Sequence, residues 1–140
     1  MIANNEIKPA VNQIETHPFY QREDDLKFLK ENDVQMESWA SFAEGRNNLF
    51  QNEKLIEIGK KYNKSVAQVI LRWLIQRGVV VIPKSVKKER IIENINVFDF
   101  ELLPEDMDII KSLDTNNSLF FNHRDPEIVK WMSSFVTQRK

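Results

Sequence analysis

One short segment constrains the fold more than any other part of the sequence. Val79–Ile82 is a run of four β-branched apolar residues, with Gly78 before it and Pro83 after it. Such residues favour strands, and a continuous apolar run is typical of a parallel sheet that is covered on both sides. We therefore expect a buried parallel strand here, with both of its faces covered.

Two other segments are predicted to be strands, and helical patterns follow each of them. The strands are Pro9–Glu15, which carries the polar residues Asn12 and Gln13 in its middle, and Asp33–Trp39. Apolar spacing, capping residues and prolines at helix starts predict the helices. They are Arg22–Glu31, Gln51–Tyr62, a helix capped by Ser65 with Gln68 that ends at Gly78, Glu89–Asn94, Pro104 to about Leu113, and one that starts at Pro126. This alternation predicts an α/β fold of three parallel strands with helices, plus an extra C-terminal helix.

The length limits which α/β architecture the chain can form. A complete (β/α)₈ barrel needs about 250 residues, whereas this chain has 140. Three βα units do not close such a barrel. We expect residues 1–140 to form a single domain that is a partial (β/α)₈ barrel.

The composition excludes several classes of function. The chain has no cysteine, which excludes disulfides, thiolate metal sites and a cysteine nucleophile, and its net charge of −1 argues against nucleic-acid binding. His17 and His123 lack a second histidine at metal-ligand spacing, so we expect both to be structural or surface residues and predict no metal site. A polar N-terminus and the lack of an apolar run of about 20 residues predict no signal peptide, no membrane partner and a cytoplasmic location.

A group of polar residues follows the Val79–Ile82 strand directly. Lys84 and Ser85 come first, and Arg90, Glu93 and Asn94 lie on the helix predicted after them. Binding groups cluster at the carboxyl ends of parallel strands, where a lysine, a hydroxyl and a guanidinium can hold a phosphate. The alternative is an ordinary charged, solvated helix start.

Two further positions have a functional and a structural interpretation. Trp39 ends the second strand, where an aromatic ring either stacks on a planar ligand or packs against its neighbours. One of Asn12 and Gln13 has to point inward, where its amide needs hydrogen-bond partners. A ligand carboxamide or neighbouring backbone groups would supply those partners.

Long, ordered segments of the chain resemble the aldo-keto reductases, whose fold is a (β/α)₈ or TIM barrel. Pro9–Glu15 with His17 and Pro18 resembles the sixth-strand signature, and Val79–Val86 with the helix residues after it resembles the signature that binds the cofactor phosphate. The resemblance runs from about Lys8 to Trp131. It implies that the chain corresponds to the C-terminal half of the barrel.

The resemblance also implies roles in binding NADP. Gln13 would hydrogen-bond the nicotinamide carboxamide, and Trp39 would stack on the nicotinamide ring. The phosphate and adenine ligands would be the residues of the polar group: Lys84, Ser85 and Arg90 for the 2′-phosphate, and Glu93 and Asn94 for the adenine. No catalytic residue is expected, because the family's Asp, Tyr, Lys and His all precede the sixth strand.

Three functional hypotheses follow from the resemblance. The full-length parent would be an NADPH-dependent reductase of small aldehydes and ketones, and this chain, as a fragment, would be inactive. In the second hypothesis, the chain is a weak nucleotide-binding module. In the third, it associates with itself or with the missing N-terminal half. Aromatic residues expected on the uncovered surface are Phe19, Phe42, Phe120, Phe121 and Trp131.

Overall fold

The computed structural model describes residues 5–122 and 125–137, and its framework is a parallel sheet of three strands. The strands are β1 (Val11–Glu15), β2 (Gln35–Trp39) and β3 (Val80–Val81), in the order β1-β2-β3. The helices are α1 (Glu23–Glu31), α2 (Glu53–Tyr62), α3 (Val66–Gln76), α4 (Lys88–Ile95), α5 (Pro104–Lys111) and α6 (Pro126–Thr137), and a segment of 3₁₀ turns spans Ala43–Gln51. The predicted parallel α/β arrangement is confirmed, although each strand is shorter than predicted.

The helices cover one face of the sheet. Met36 and Ser38 of β2 are 1% exposed and lie on this face, where they meet the core that α3 contributes through residues such as Trp73 and Leu74. The opposite face carries the register row of Gln13, Glu37 and Val80. Val80 on that row is 41% exposed. Within the described residues the sheet is therefore packed against helices on one side, and its other side is open except near Glu15 and Trp39 at the strand ends.

The prediction that the Val79–Ile82 strand is buried on both faces is wrong. Val79 is 3% exposed, but Ile82 is 53% exposed. Successive side chains of a strand point to opposite faces, so only those on the helix side reach a core. Three strands leave the other side, the interior side of a barrel, without facing strands.

The predicted signals at both ends of α3 are confirmed. The hydroxyl of Ser65 accepts a hydrogen bond from the Gln68 backbone N–H at 3.2 Å, and the Gln68 side chain accepts one from the Ser65 N–H at 3.1 Å. Gly78 ends the helix with a φ of 78°, a conformation that only glycine adopts without strain. This ending turns the chain directly into β3.

The first turn of α5 is joined to α2 through a buried carboxylate. Pro104 occupies the first turn as predicted, and Asp106 accepts hydrogen bonds from Lys61 at 2.9 Å and from the hydroxyl of Tyr62. Burial raises the pKa of Asp106, but the Tyr62 and Lys61 hydrogen bonds outweigh burial, so its pKa lies below the usual value. The contact fixes Tyr62 in a structural role.

The exposure of the aromatic residues differs from the prediction. Phe19 is buried at 7% exposure and Phe42 packs against the core, so neither lies on an uncovered surface. Phe120 and Phe121 are half-buried, whereas Trp131 is 55% exposed as expected. Phe19 follows the end of β1 and Phe42 the end of β2, and both rings contact the hydrophobic core.

His17 is fully buried next to the end of β1. Its Nε2 lies 3.0 Å from a Glu15 carboxylate oxygen, and its Nδ1 accepts a hydrogen bond from the Phe19 N–H at 3.2 Å. Because Nδ1 is an acceptor, the ring proton lies on Nε2 and is donated to Glu15. The expected structural role of His17 is confirmed, while His123 lies outside the described residues.

This environment predicts a pH-dependent stability. Burial lowers the pKa of His17 below 6.5, although Glu15 acts to raise it. A lowered folded pKa means that the unfolded chain binds the proton more readily, so stability present above about pH 6.5 declines as the pH falls towards the folded pKa. One such group contributes at most about 1.4 kcal/mol per pH unit.

Urea unfolding of the wild-type chain and the His17→Gln variant between pH 7.5 and 5 measures this effect. We expect a shallower pH dependence in His17→Gln, which keeps a donor for Glu15 but does not titrate. An NMR titration in which the wild-type His17 ring has a pKa at or above 6.5 would contradict the assignment.

Candidate functional site

The candidate site lies at the carboxyl edge of the sheet. Glu15 ends β1, Trp39 ends β2, and Lys84 follows the end of β3 by three residues. Since the three strands are parallel and adjacent, their carboxyl ends meet at one edge, where ligands bind in parallel α/β folds. The predicted residues are therefore placed on neighbouring strands and connections.

Gln13 and Trp39 lie on the open face of the sheet. Gln13 is in register with Glu37, and Glu15 is in register with Trp39, so all four share one face. The Gln13 amide donates a hydrogen bond to the Glu37 carboxylate at 2.5 Å. Of the two amides left open by the sequence, Gln13 is thus the one on the face that carries Trp39. Asn12 lies on the other face.

The Trp39 indole is covered by two phenylalanine rings. The Phe120 ring centroid lies 4.7 Å from that of Trp39, and the Phe121 ring lies 6.1 Å away. Both rings come from the connection between α5 and α6, about 80 residues later in the sequence. In this structure Trp39 therefore has the packing role that was one of its two interpretations.

The polar side chains after β3 make few interactions with the described part of the chain. Lys84 and Arg90 are exposed, and neither side chain has a hydrogen bond or ion pair with any residue in the described part of the chain. The Ser85 hydroxyl accepts a hydrogen bond from the Lys87 N–H at 3.1 Å, which shapes the turn into α4. Lys84 directly precedes this hydroxyl in the sequence and Arg90 lies in the first turn of α4, where the helix dipole also favours an anion.

The far end of α4 is what holds this helix to the protein. The Gln68 side-chain amide donates to the backbone carbonyls of Asn96, at 2.8 Å, and Glu93, at 3.2 Å. No described residue of α4 itself is buried, and Glu93 and Asn94 are half-buried. The capping glutamine of α3 therefore also positions the helix that carries the predicted phosphate and adenine ligands.

The structure divides the predicted site residues into two groups. Gln13 and Trp39 form one group on the open face, and the segment from Lys84 to Asn94 forms the other. No hydrogen bond or ring contact between described residues joins the two groups. Glu37 and Phe120 were not predicted from the sequence as residues of the site. The alternation of side chains along β2 places Glu37 on the same face as Trp39, but no local signal identifies Phe120.

A cleft in the described part of the chain lies away from the predicted phosphate residues. It has a volume of about 760 Å³ and is lined by the start of α1 and by the segment 114–122. Its walls include Asp24, Asp25 and Asp114, which do not suit a phosphate. Among residues 5–122 and 125–137, no cluster of three metal-ligating side chains occurs, and no helix is long and apolar enough to cross a bilayer.

The sequence of this chain is similar to the sequences of known enzymes. The chain is 50% identical over 113 residues to the glyoxal reductase of Bacillus subtilis, which covers 81% of this chain and 40% of that protein. It is 38% identical over 128 residues to the methylglyoxal reductase DkgA of Yersinia pestis, with 91% and 45% covered.

Solved structures show the same relationship in three dimensions. The aldo-keto reductase MGS-M4 from a deep-sea metagenome library superposes with a TM-score of 0.84 at 40% identity, over 89% of this chain and 46% of that chain. A variant of Gox0644 in complex with NADPH superposes with a TM-score of 0.81 at 35% identity, over 86% and 44%.

This chain thus spans less than half the length of the relatives it matches. The likeness nevertheless extends over most of its own residues. Residues 1–115 match the model of the aldo/keto reductase family, and the chain therefore belongs to that family.

Proposed function

We propose that this chain forms the C-terminal half of an aldo-keto reductase barrel and supplies the part of the cofactor site that holds the 2′-phosphate and adenine of NADPH. The related Gox0644 structure contains NADPH, and relatives of this chain are named as reductases of glyoxal and methylglyoxal. The whole protein would reduce a small aldehyde or ketone to an alcohol.

The observation that supports this proposal best is that two cations around the start of α4 have no partner among the described residues. Lys84 and Arg90 are exposed and have no partner in the described part of the chain, so a phosphate would not have to displace an existing ion pair. Ser85 orders the turn between them. A lysine point charge and a guanidinium fork are both suited to a phosphate monoester.

NADPH supplies a hydride for carbonyl reduction, and a protein acid supplies the proton. Neither described tyrosine of this chain suits the acid role. The Tyr62 hydroxyl is hydrogen-bonded to Asp106 and to the Leu103 N–H, and Tyr20 lies within the β1–α1 connection with the Arg22 guanidinium over its ring. We propose that the chain alone binds part of the cofactor weakly and has no turnover, so NADPH oxidation with a reactive aldehyde by the pure chain would overturn this.

Calorimetric titration with NADP⁺ tests the phosphate site. We expect Arg90→Ala to weaken binding by about fivefold or more, because an ion pair with phosphate screened by solvent contributes about 1 kcal/mol. Lys84→Ala should have a similar effect.

The matched control is Lys27→Ala, which removes an exposed cation from α1. This variant should bind NADP⁺ like the wild type. Equal affinity of the wild-type chain and Arg90→Ala would contradict the proposed site.

A second candidate function is association with another half barrel. Val80 and Ile82 on the open face of the sheet are exposed, as are Ile91 and Ile95 of α4. β1 and β3 are the edge strands of the described sheet, and unpaired edges promote association. We propose that the missing N-terminal half is the preferred partner and that the isolated chain self-associates through the same surface.

Analytical ultracentrifugation tests this association. We expect the wild-type chain to sediment as a dimer or larger species at tens of micromolar, and the double variant Ile82→Glu/Ile95→Glu to shift towards the monomer. Phe28→Glu, at an exposed apolar position of α1, serves as the control and should sediment like the wild type. A wild-type chain that remains monomeric would refute the proposed association.

A further inference from the structure

The segment 118–121 lies across the carboxyl edge of the sheet and is held there by two charged residues. The Glu15 carboxylate accepts hydrogen bonds from the Ser118 hydroxyl at 2.5 Å and from the Leu119 N–H at 3.0 Å. The Arg46 guanidinium donates a hydrogen bond to the Leu119 carbonyl and lies 4.0 Å from the centroid of the Phe120 ring. Elements far apart in the sequence thus fix this short segment.

The segment is also ordered by its own hydrogen bonds. The Ser118 hydroxyl oxygen accepts from the backbone N–H groups of Phe120 and Phe121, both at 3.1 Å. This turn directs both rings towards Trp39, with a centroid distance of 4.7 Å for Phe120. Polar contacts from Glu15, Arg46 and the Ser118 hydroxyl therefore hold the Phe120 ring against Trp39.

The anchor of the segment shows which face of the sheet it covers. Glu15 is in register with Trp39 and lies on the same face as Gln13, two residues before it. Gln13 and Trp39 are the two residues predicted to contact a nicotinamide. The segment consequently lies on the side of the sheet where that ring would bind.

We infer that residues 118–121 form a strap that occupies the nicotinamide position against Trp39, so that the nicotinamide end of the cofactor binds only after the strap is displaced. This inference rests on the proposed function. A ring inserted between two others needs about 7 Å between the outer pair, because each contact requires about 3.5 Å. The 4.7 Å between Trp39 and Phe120 leaves no room for it.

The strap reduces the apparent affinity for a nicotinamide by the fraction of molecules in which it is closed. Glu15 and Arg46 are positioning residues in this scheme, since they act through the strap. Arg46 is the more informative one to replace, because Glu15 also holds His17. The proposed phosphate and adenine ligands, from Lys84 to Asn94, lie on a separate segment of the chain, after β3 and on α4.

Two ligands test the strap and the phosphate site independently. Nicotinamide mononucleotide carries the nicotinamide ring without the adenosine 2′-phosphate, and adenosine 2′,5′-bisphosphate carries the phosphate without the nicotinamide. NMR titrations that follow the Trp39 indole N–H and the backbone amides of residues 84–94 measure both affinities in the whole chain.

We expect Phe120→Ala to bind nicotinamide mononucleotide at least about threefold more tightly than the wild type, with a shift of the Trp39 indole signal. Arg46→Gln should also tighten the binding of nicotinamide mononucleotide. It keeps both the Trp39 and Phe120 rings, so it tests the strap even if Phe120→Ala does not fold. Phe28→Ala, on α1, is the control and should match the wild type.

If Phe120→Ala and Arg46→Gln bound the mononucleotide no more tightly than the wild type, the proposed strap would be refuted. Adenosine 2′,5′-bisphosphate should bind the wild type and these variants equally. If it bound none of them, the proposed phosphate site would be refuted, and the mononucleotide result would still decide on the strap.

Discussion

The parallel pairing of β1, β2 and β3, with helices on one face only, is the constraint on which the other features of this protein depend. The pairing brings three strand ends to one edge, which carries both Trp39 and the segment that follows β3. One-sided burial leaves Gln13 and Val80 on an open face. The same arrangement therefore provides both the candidate cofactor site and the surface proposed for association.

The two parts of the candidate site differ in whether their side chains already have partners within the chain. The proposed phosphate part consists of Lys84 and Arg90, which have no partner among the described residues, and a turn shaped by Ser85. The nicotinamide part is occupied by contacts within the chain, since Gln13 bonds Glu37 and Trp39 packs against Phe120. Partial cofactor binding without turnover is consistent with this difference.

Local signals in the sequence predicted most of the fold correctly. The capping box of Ser65 and the helix end at Gly78 depend on neighbouring residues, and both are found where expected. The burial of Ile82 was predicted wrongly, because it depends on strands that would face β3 and not on the segment itself. The contact of Phe120 with Trp39 was not predictable, because it joins residues about 80 positions apart.

The central claim is that the segment after β3 recognises the 2′-phosphate of NADP. Backbone amide NMR shifts on adding NADP⁺ or NAD⁺ test it most directly, since the two ligands differ only in that phosphate. We expect the amide signals from Lys84 to Arg90 to shift with NADP⁺ and far less with NAD⁺. Equal shifts with both ligands, or shifts confined to other parts of the chain, would contradict it.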